Sequence, residues 1–148
     1  PKFLIDYVVE LLGLGYESEC GQRARLLGLA KGQGDPEAQF LLGFKYLVGD
    51  GDCFPTDSGE AAKWFRVGAE QGNGGAQDML GKLYMQGNGV ATDYVQAYKW
   101  FRLAGASVSQ DGVGLKMTPA QIDEAKRLAQ EWQPKIWEAL AEDLEVAP

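Results

Sequence analysis

Three aspartates in one short stretch are the side chains with the clearest capacity for chemistry. Asp50, Asp52 and Asp57 carry carboxylate oxygens, which are ligands that calcium prefers. Their spacing lacks the ordered ligand ladder and the bidentate glutamate of an EF-hand, so we interpret the stretch as a solvated loop. The glycine-rich residues 72–75 and 87–89 resemble phosphate loops, but neither segment follows a predicted strand or carries the lysine of a P-loop. We interpret both as turns between helices.

The chain has two cysteines, Cys20 and Cys53, and no histidine. Two isolated cysteines without histidine do not form a zinc site. The absence of histidine also removes the commonest general base and the commonest metal ligand. We therefore predict no catalytic, cofactor-binding or metal-binding residue.

The composition indicates one domain and excludes two classes of partner. The chain has 148 residues, of which 45% are apolar and 11% aromatic, enough for one domain with a core. The net charge of −7 repels nucleic acid and anionic lipid, and it favours a partner with a basic surface. No apolar run reaches the roughly 18–20 residues of a membrane helix, so we expect no membrane partner.

Residues 3–12 are apolar but do not have the pattern of a signal peptide. Asp6 and Glu10 interrupt the stretch, which has neither a basic flank nor an Ala-x-Ala cleavage site. For the chain as given we favour a cytoplasmic location. The chain starts at Pro1, and the earlier removal of a leader would place it in the periplasm instead.

Internal repetition organises the middle of the chain. Residues 34–51 align with residues 72–89 at an offset of 38, and residues 57–66 align with residues 93–102 at an offset of 36. Both copies of the second stretch end in Lys-Trp-Phe-Arg. The offsets differ because the loop from residue 50 to residue 56 is two residues longer than its counterpart. Repetition at this period is typical of solenoids built from stacked helix pairs.

Each unit predicts two helices, which we call helix A and helix B. Helix A is expected over residues 36–48 and 74–86, and helix B over residues 58–71 and 94–106. The expected N-caps are Asp35, Asp57, Asn73 and Asp93, and the expected C-caps are Gly49 and Gly87. Glycine also recurs inside helix A, at Gly43 and Gly81, where a missing side chain lets helix B approach closely. We interpret Trp64 and Trp100 as packing between units.

The repeated pattern is Ala-x-x-x-Leu-Gly-x-x-Tyr-x-x-Gly-x-Gly, followed by Asp-x-x-x-Ala-x-x-Trp-Phe, at residues 38–65 and 76–101. It resembles the Sel-1-like repeat, a relative of the tetratricopeptide repeat. The resemblance implies an all-α fold, a right-handed α-α superhelix (solenoid) of antiparallel helix pairs, with a scaffolding or adaptor role. Asp52, Cys53 and Phe54 depart from the family, which usually continues with Gly-Val at this point.

The cysteines fall in consecutive units, each before a helix B. A disulfide requires α-carbons within about 7 Å of each other, and the spacing between such units is usually larger. We therefore expect Cys20 and Cys53 to be free thiols.

We expect one solenoid domain in four segments. They are a degenerate N-terminal unit (1–34), repeat 1 (35–72), repeat 2 (73–106) and C-terminal capping helices (118–148). Residues 22–31 align with helix B and residues 8–16 echo helix A; the alternative is a single buried N-terminal helix.

Two helices are predicted to close the open end of the solenoid, after a loop rich in serine and glycine at residues 107–117. Thr118, Pro119 and Gln121 start the first helix, and Pro134 ends it. The second is expected over residues 135–145.

An apolar strip on helix A of repeat 1 is the best candidate for a binding surface. Leu41, Phe44 and Val48 share one helix face and Leu47 adjoins them. The resemblance implies that helix A lines the concave surface, where such a strip would hold a helix or an extended peptide. The predicted partner-binding residues of the two repeats are Leu41, Phe44, Lys45, Leu47, Val48, Met79, Lys82 and Met85. The alternative is that the strip packs on the preceding unit, against Leu26 and Leu29.

These features favour a non-catalytic protein–protein interaction module that binds another protein or peptide, with a basic partner fitting the charge. The narrower alternative is an immunity or inhibitor protein that blocks a toxin or an enzyme. The remote alternative is a carboxylate-based hydrolase. Here the carboxylates mostly occupy helix-cap positions and no pair lies in an evident cleft.

Overall fold

Pairs of helices make up the regular structure of the chain. The computed structural model describes residues 19–49 and 51–146. Within these residues the α-helices are α1 (Glu19–Leu27), α2 (Pro36–Val48), α3 (Ser58–Glu70), α4 (Gly74–Gln86), α5 (Tyr94–Ala104), α6 (Ser107–Gly114), α7 (Pro119–Glu131) and α8 (Trp137–Val146). A π-helical turn, Gly28–Gly32, continues α1. The fold is the predicted all-α solenoid of helix pairs, in which α2 packs on α3 and α4 on α5.

The N-terminal unit is described only in part. The predicted helix A around residues 8–16 and the apolar residues 3–12 lie outside the described residues. The predicted second helix, residues 22–31, is present as α1 and the π-helical turn. Leu26, which aligns with Trp64, is buried in the main core. The division of the chain into four segments stays a prediction.

Side-chain caps start the helices where the sequence predicts them. The capping carboxylate or amide oxygens accept hydrogen bonds from backbone N–H groups in the pairs Asp35–Glu37, Asp57–Glu60, Asn73–Ala76 and Asp93–Gln96. At Thr118 the structure has both halves of a capping box, because the hydroxyl accepts from Gln121 N and the Gln121 side chain accepts from Thr118 N. Each cap satisfies a backbone N–H that has no partner inside its helix.

Glycine inside helix A allows close packing of helix B. A β-carbon at Gly43 would lie 2.8 Å from the ring of Phe65, and one at Gly81 would lie 2.7 Å from the ring of Phe101. Both rings are fully buried. The same contact therefore holds each helix pair together, as the recurrence of glycine predicts.

Two buried glutamines tie successive units together. The Gln39 side-chain amide donates to the carbonyl of Ala30 at 3.1 Å, and the Gln77 amide donates to the carbonyl of Ala69 at 3.1 Å. In each case helix A bonds to the end of the preceding helical segment. The bonds satisfy groups that would be costly to bury unpaired, which explains why glutamine recurs at this position.

Cys20 and Cys53 form a disulfide, so the expectation of free thiols was wrong. Their α-carbons are 5.3 Å apart, within bridging distance. The reason lies in the longer loop of repeat 1, which turns inward at Phe54. This side chain is fully buried, with its ring 5.7 Å from that of Tyr46. The burial of Phe54 brings the neighbouring Cys53 to the first turn of α1.

Residues 107–114 form helix α6, so the expectation of a loop over residues 107–117 was wrong for most of its length. Val113 is fully buried in a cluster with Tyr98 and Phe101. Gln110 adds a hydrogen bond from its side-chain amide to the Tyr98 hydroxyl at 2.9 Å. These contacts with α5 stabilise a helix that the serine and glycine content disfavours.

Beyond α7 the chain returns across the stack. We call residues 132–140 the C-terminal strap. It is non-helical at residues 132–136, and α8 then begins at Trp137, two residues later than predicted. The Trp137 ring occupies the space that a side chain at Gly34 would need, and Leu140 is buried. The strap thus joins the end of the described chain to the turn before α2.

Candidate functional site

The structure exposes part of the predicted partner-binding surface. Leu41, Phe44 and Val48 on α2 have exposed fractions of 40%, 45% and 56%. Three large apolar side chains therefore face outward over two turns of one helix. The main core lies on the other side of α2, where Leu42 and Tyr46 are buried.

The other predicted residues lie elsewhere or serve other contacts. Leu47 and Met79 are half-buried against the main core, and Met85 is half-buried against the cluster around Phe101. The remaining two are lysines. The Lys45 ammonium lies 5.9 Å from the centre of the Phe54 ring, and that of Lys82 pairs with the Asp78 carboxylate at 2.8 Å. The exposed apolar side chains among the predicted residues thus lie on α2 in repeat 1. In repeat 2, Lys82 is instead in an ion pair with Asp78.

A cleft of about 710 Å³ lies between α3, α5 and the C-terminal strap, and its volume falls in the usual range for ligand pockets. It is lined by Lys63, Arg66, Val67, Glu70, Tyr84, Asp93, Gln96, Trp100, Lys135 and Leu140. Helix α5 and the strap each contribute one buried apolar side chain to the lining, Trp100 and Leu140 respectively. We call this space the strap cleft.

The lining of the strap cleft contains three cations, from Lys63, Arg66 and Lys135, and two carboxylates, from Glu70 and Asp93. Lys63 lies 3.5 Å from Glu60, and Lys135 lies 3.8 Å from Glu70. The Arg66 guanidinium donates to the Tyr84 hydroxyl and, within the part of the chain that the structure describes, makes no ion pair. The carboxylate of Asp93, which also lines the cleft, accepts from the backbone of Gln96 and so caps α5.

A further cation, Lys99, lies beside the cleft. Its ammonium is 4.3 Å from the centre of the Trp100 ring. Burial lowers the pKa of Lys99, Glu70 partly opposes this effect, and the positive charges of Lys135 and Arg66 lower the pKa further. The positive charges are therefore close enough to repel one another.

The C-terminal strap forms one wall of the cleft by pairing with the end of α3. The backbone N–H of Lys135 donates to the carbonyl of Glu70 at 2.7 Å, and the Trp132 indole N–H donates to the Glu70 carboxylate at 3.4 Å. The Trp132 ring meets that of Trp100 edge to face, with centroids 6.2 Å apart. The backbone carbonyl and the side-chain carboxylate of Glu70, the last residue of α3, thus hold the non-helical part of the strap in place.

Two further properties bear on the chemistry of the described residues. None of their His, Cys, Asp and Glu side chains group in threes or more in a way that could hold a metal ion. In the same part of the chain, the helices are all too short or too polar to cross a bilayer.

Comparison with known proteins identifies the repeats. The model of the Sel1 repeat family matches residues 36–73 and 75–107, the two units that contain the Gly43–Phe65 and Gly81–Phe101 contacts. The chain contains two Sel1 repeats. The resemblance inferred from the sequence is therefore confirmed, and Sel1 repeat proteins generally mediate protein–protein interaction.

Two solved structures resemble this chain. One is the crystal structure of c5321, a protective antigen present in uropathogenic Escherichia coli strains that displays an SLR fold; it has a TM-score of 0.70 and 29% identity over 93% of this chain and 31% of that chain. The other is a Sel1 repeat protein from Oxalobacter formigenes, with a TM-score of 0.59 and 31% identity over 80% of this chain and 49% of that chain. The chain thus spans less than half the length of either structure. No curated protein matches it.

Sequence reasoning about the Sel1 repeats missed the strap cleft. The repeated Lys-Trp-Phe-Arg carries part of the signal, because it places a lysine and an arginine on the same face of each helix B. The other wall comes from residues 132–140, whose return across the stack depends on contacts with Gly34 and Glu70. Contacts between residues so far apart in the chain leave no periodic pattern in the sequence.

Proposed function

We propose that the chain is a non-catalytic module that binds a partner protein through the exposed apolar face of α2. The observation that supports this function is the exposure of Leu41, Phe44 and Val48 on one face of a helix whose other face is buried. Contiguous exposed apolar side chains are a feature of interaction surfaces. They extend over two helical turns, which suits the apolar stripe of a partner helix.

Charge bears on which partner fits the apolar face. Lys45 lies on the same helix, α2. At longer range the net charge of −7 favours approach of a partner whose surface is basic outside the contact. The partner that fits best is thus an amphipathic helix with an apolar stripe and basic flanks.

The groups available for chemistry support binding over catalysis. The chain has no histidine, and the carboxylates of Asp57 and Asp93 accept backbone hydrogen bonds at helix starts. A carboxylate that caps a helix already has a backbone partner, which leaves it poorly placed to act on a substrate.

The test is site-specific photo-crosslinking from position 44. A photoreactive phenylalanine analogue at Phe44 should join the chain to one partner in host extract. The same analogue at Leu115, which is 90% exposed on the surface beyond α6, is the matched control and should not. The partner would then be purified and titrated against Phe44→Asp. We expect at least a tenfold loss of affinity with an unchanged melting temperature.

Three outcomes would contradict the proposed function. Equal crosslinking from positions 44 and 115 would show that the α2 face is not selective. A large fall in the melting temperature of Phe44→Asp, without a binding defect in the folded fraction, would mean that Phe44 packs inside the folded protein. Turnover of a substrate by the purified chain alone would refute the non-catalytic assignment.

A further inference from the structure

We propose that the strap cleft is a second binding site, which takes an acidic segment of a partner polypeptide. This inference is independent of the α2 face. It rests on the charges around the cleft, on the apolar side chains of its wall, and on the backbone of the strap, which lies along one side of the cleft.

The charge argument starts from Arg66. Its guanidinium lines the cleft and, among the described residues, has only the neutral hydroxyl of Tyr84 as a hydrogen-bond partner. Lys63 and Lys135 also line the cleft, in ion pairs with Glu60 at 3.5 Å and with Glu70 at 3.8 Å. These cations concentrate positive charge on a chain whose net charge is −7. All three side chains are at least partly exposed to solvent, so a carboxylate that binds them forms charge-assisted hydrogen bonds whose strength depends on salt.

The state of Lys99 supports the same conclusion. Its ammonium is half-buried beside Trp100, and its lowered pKa reflects both burial and the repulsion of Lys135 and Arg66. A carboxylate between these groups would offset the repulsion. Binding of an acidic segment should therefore raise the pKa of Lys99 towards its usual value.

The shape of the cleft favours a polypeptide over a small anion. Its volume of about 710 Å³ is far larger than one phosphate or carboxylate requires. Trp100 and Leu140 offer apolar surface next to the cations, so the matching ligand alternates acidic and apolar side chains. The strap shows that a non-helical backbone fits beside α3, because the Lys135 N–H donates to the Glu70 carbonyl at 2.7 Å.

The test uses a terminally blocked peptide of alternating glutamate and leucine, titrated calorimetrically into the whole chain. The matched control peptide has glutamine in place of every glutamate. Arg66→Gln removes the cleft cation that has no carboxylate partner among the described residues. Arg102→Gln changes the aligned arginine of repeat 2, which does not line the cleft and is the control variant. Inorganic phosphate at the same concentration tests for a general anion site.

We expect the glutamate peptide to bind, the glutamine peptide to bind at least tenfold more weakly, and added salt to reduce the affinity. Arg66→Gln should lower the affinity at least tenfold, Arg66→Lys less than that, and Arg102→Gln less than twofold. Phe44→Asp should leave it unchanged, which separates this site from the α2 face. If Arg66→Gln unfolds the chain, Lys63→Gln replaces it, with a threefold or greater loss expected.

Four results would overturn the inference. They are absence of any peptide binding, equal binding of the two peptides, equal effects of Arg66→Gln and Arg102→Gln, and binding of phosphate as tight as that of the glutamate peptide. None of these results bears on crosslinking from position 44.

Discussion

At the scale of single residues, glycine has opposite roles at different helix positions. A β-carbon at Gly43 would meet the buried ring of Phe65, whereas one at Gly112 on α6 would have nothing within 4 Å. Alanine favours a helix by about 0.5–1 kcal/mol over glycine, and overpacking of a core costs about 1–3 kcal/mol. Gly112→Ala should therefore raise the free energy of unfolding by about 0.5–1 kcal/mol, and Gly43→Ala should lower it by about 1 kcal/mol. Urea denaturation of both variants measures the two changes, and effects of equal sign would contradict the close approach of α3 at Gly43.

Residue types explain much of what the sequence predicts correctly. Expected and observed bounds agree for α2 and α4, because a capping side chain precedes each helix and a glycine follows it. The same logic does not reveal the role of Gln39, whose bond to the carbonyl of Ala30 exists only once two segments have packed. Local preferences are thus readable one residue at a time, whereas burial of a polar group depends on its tertiary partner.

At the scale of elements, the disulfide links α1 to the loop between α2 and α3. Cys20 and Cys53 are separated by 33 residues. Closing a loop of this length in the unfolded chain stabilises the folded state by about 3–4 kcal/mol in the loop-entropy model. The Cys20→Ser/Cys53→Ser double variant should therefore have a free energy of unfolding lower by about this amount, measured in guanidinium without reductant.

Reductant provides the control for the disulfide prediction. It should destabilise the parent chain to the level of the double variant and leave the variant itself unchanged. Thiol titration of the denatured, unreduced parent should find no free thiol, and two thiols per chain would contradict the bridge. Disulfides persist in oxidising surroundings, so the thiol titration has to be made on protein kept free of reductant throughout.

Elements that lack a local signal are the ones that sequence reasoning missed. The segment that forms α6 is rich in serine and glycine, and its helix depends on the burial of Val113 against α5. The disulfide likewise depends on the inward turn at Phe54. In both cases the burial of one side chain determines the local structure, against the conformation that the neighbouring residues favour. The sequence alone does not show which side chain will be buried in this way. The predicted partner-binding residues of both repeats stay a prediction; in repeat 2, Met79 and Met85 are half-buried.

At the scale of the whole molecule, the strap changes how the stack holds together. In a solenoid each unit contacts only its neighbours, so the terminal units open first. The strap adds a contact between distant parts of the chain, because Trp137 packs on Gly34, two units away from α7 along the chain.

Trp137→Ala should therefore destabilise both ends of the stack at once. We expect hydrogen exchange to accelerate in α8 and also in the π-helical turn Gly28–Gly32, while α4 keeps its protection. Ile136→Ala, at a strap position that is 69% exposed, is the matched control and should change neither region. Faster exchange confined to α8 would mean that the strap only covers the surface; faster exchange at both ends would mean that it closes the stack into one cooperative unit.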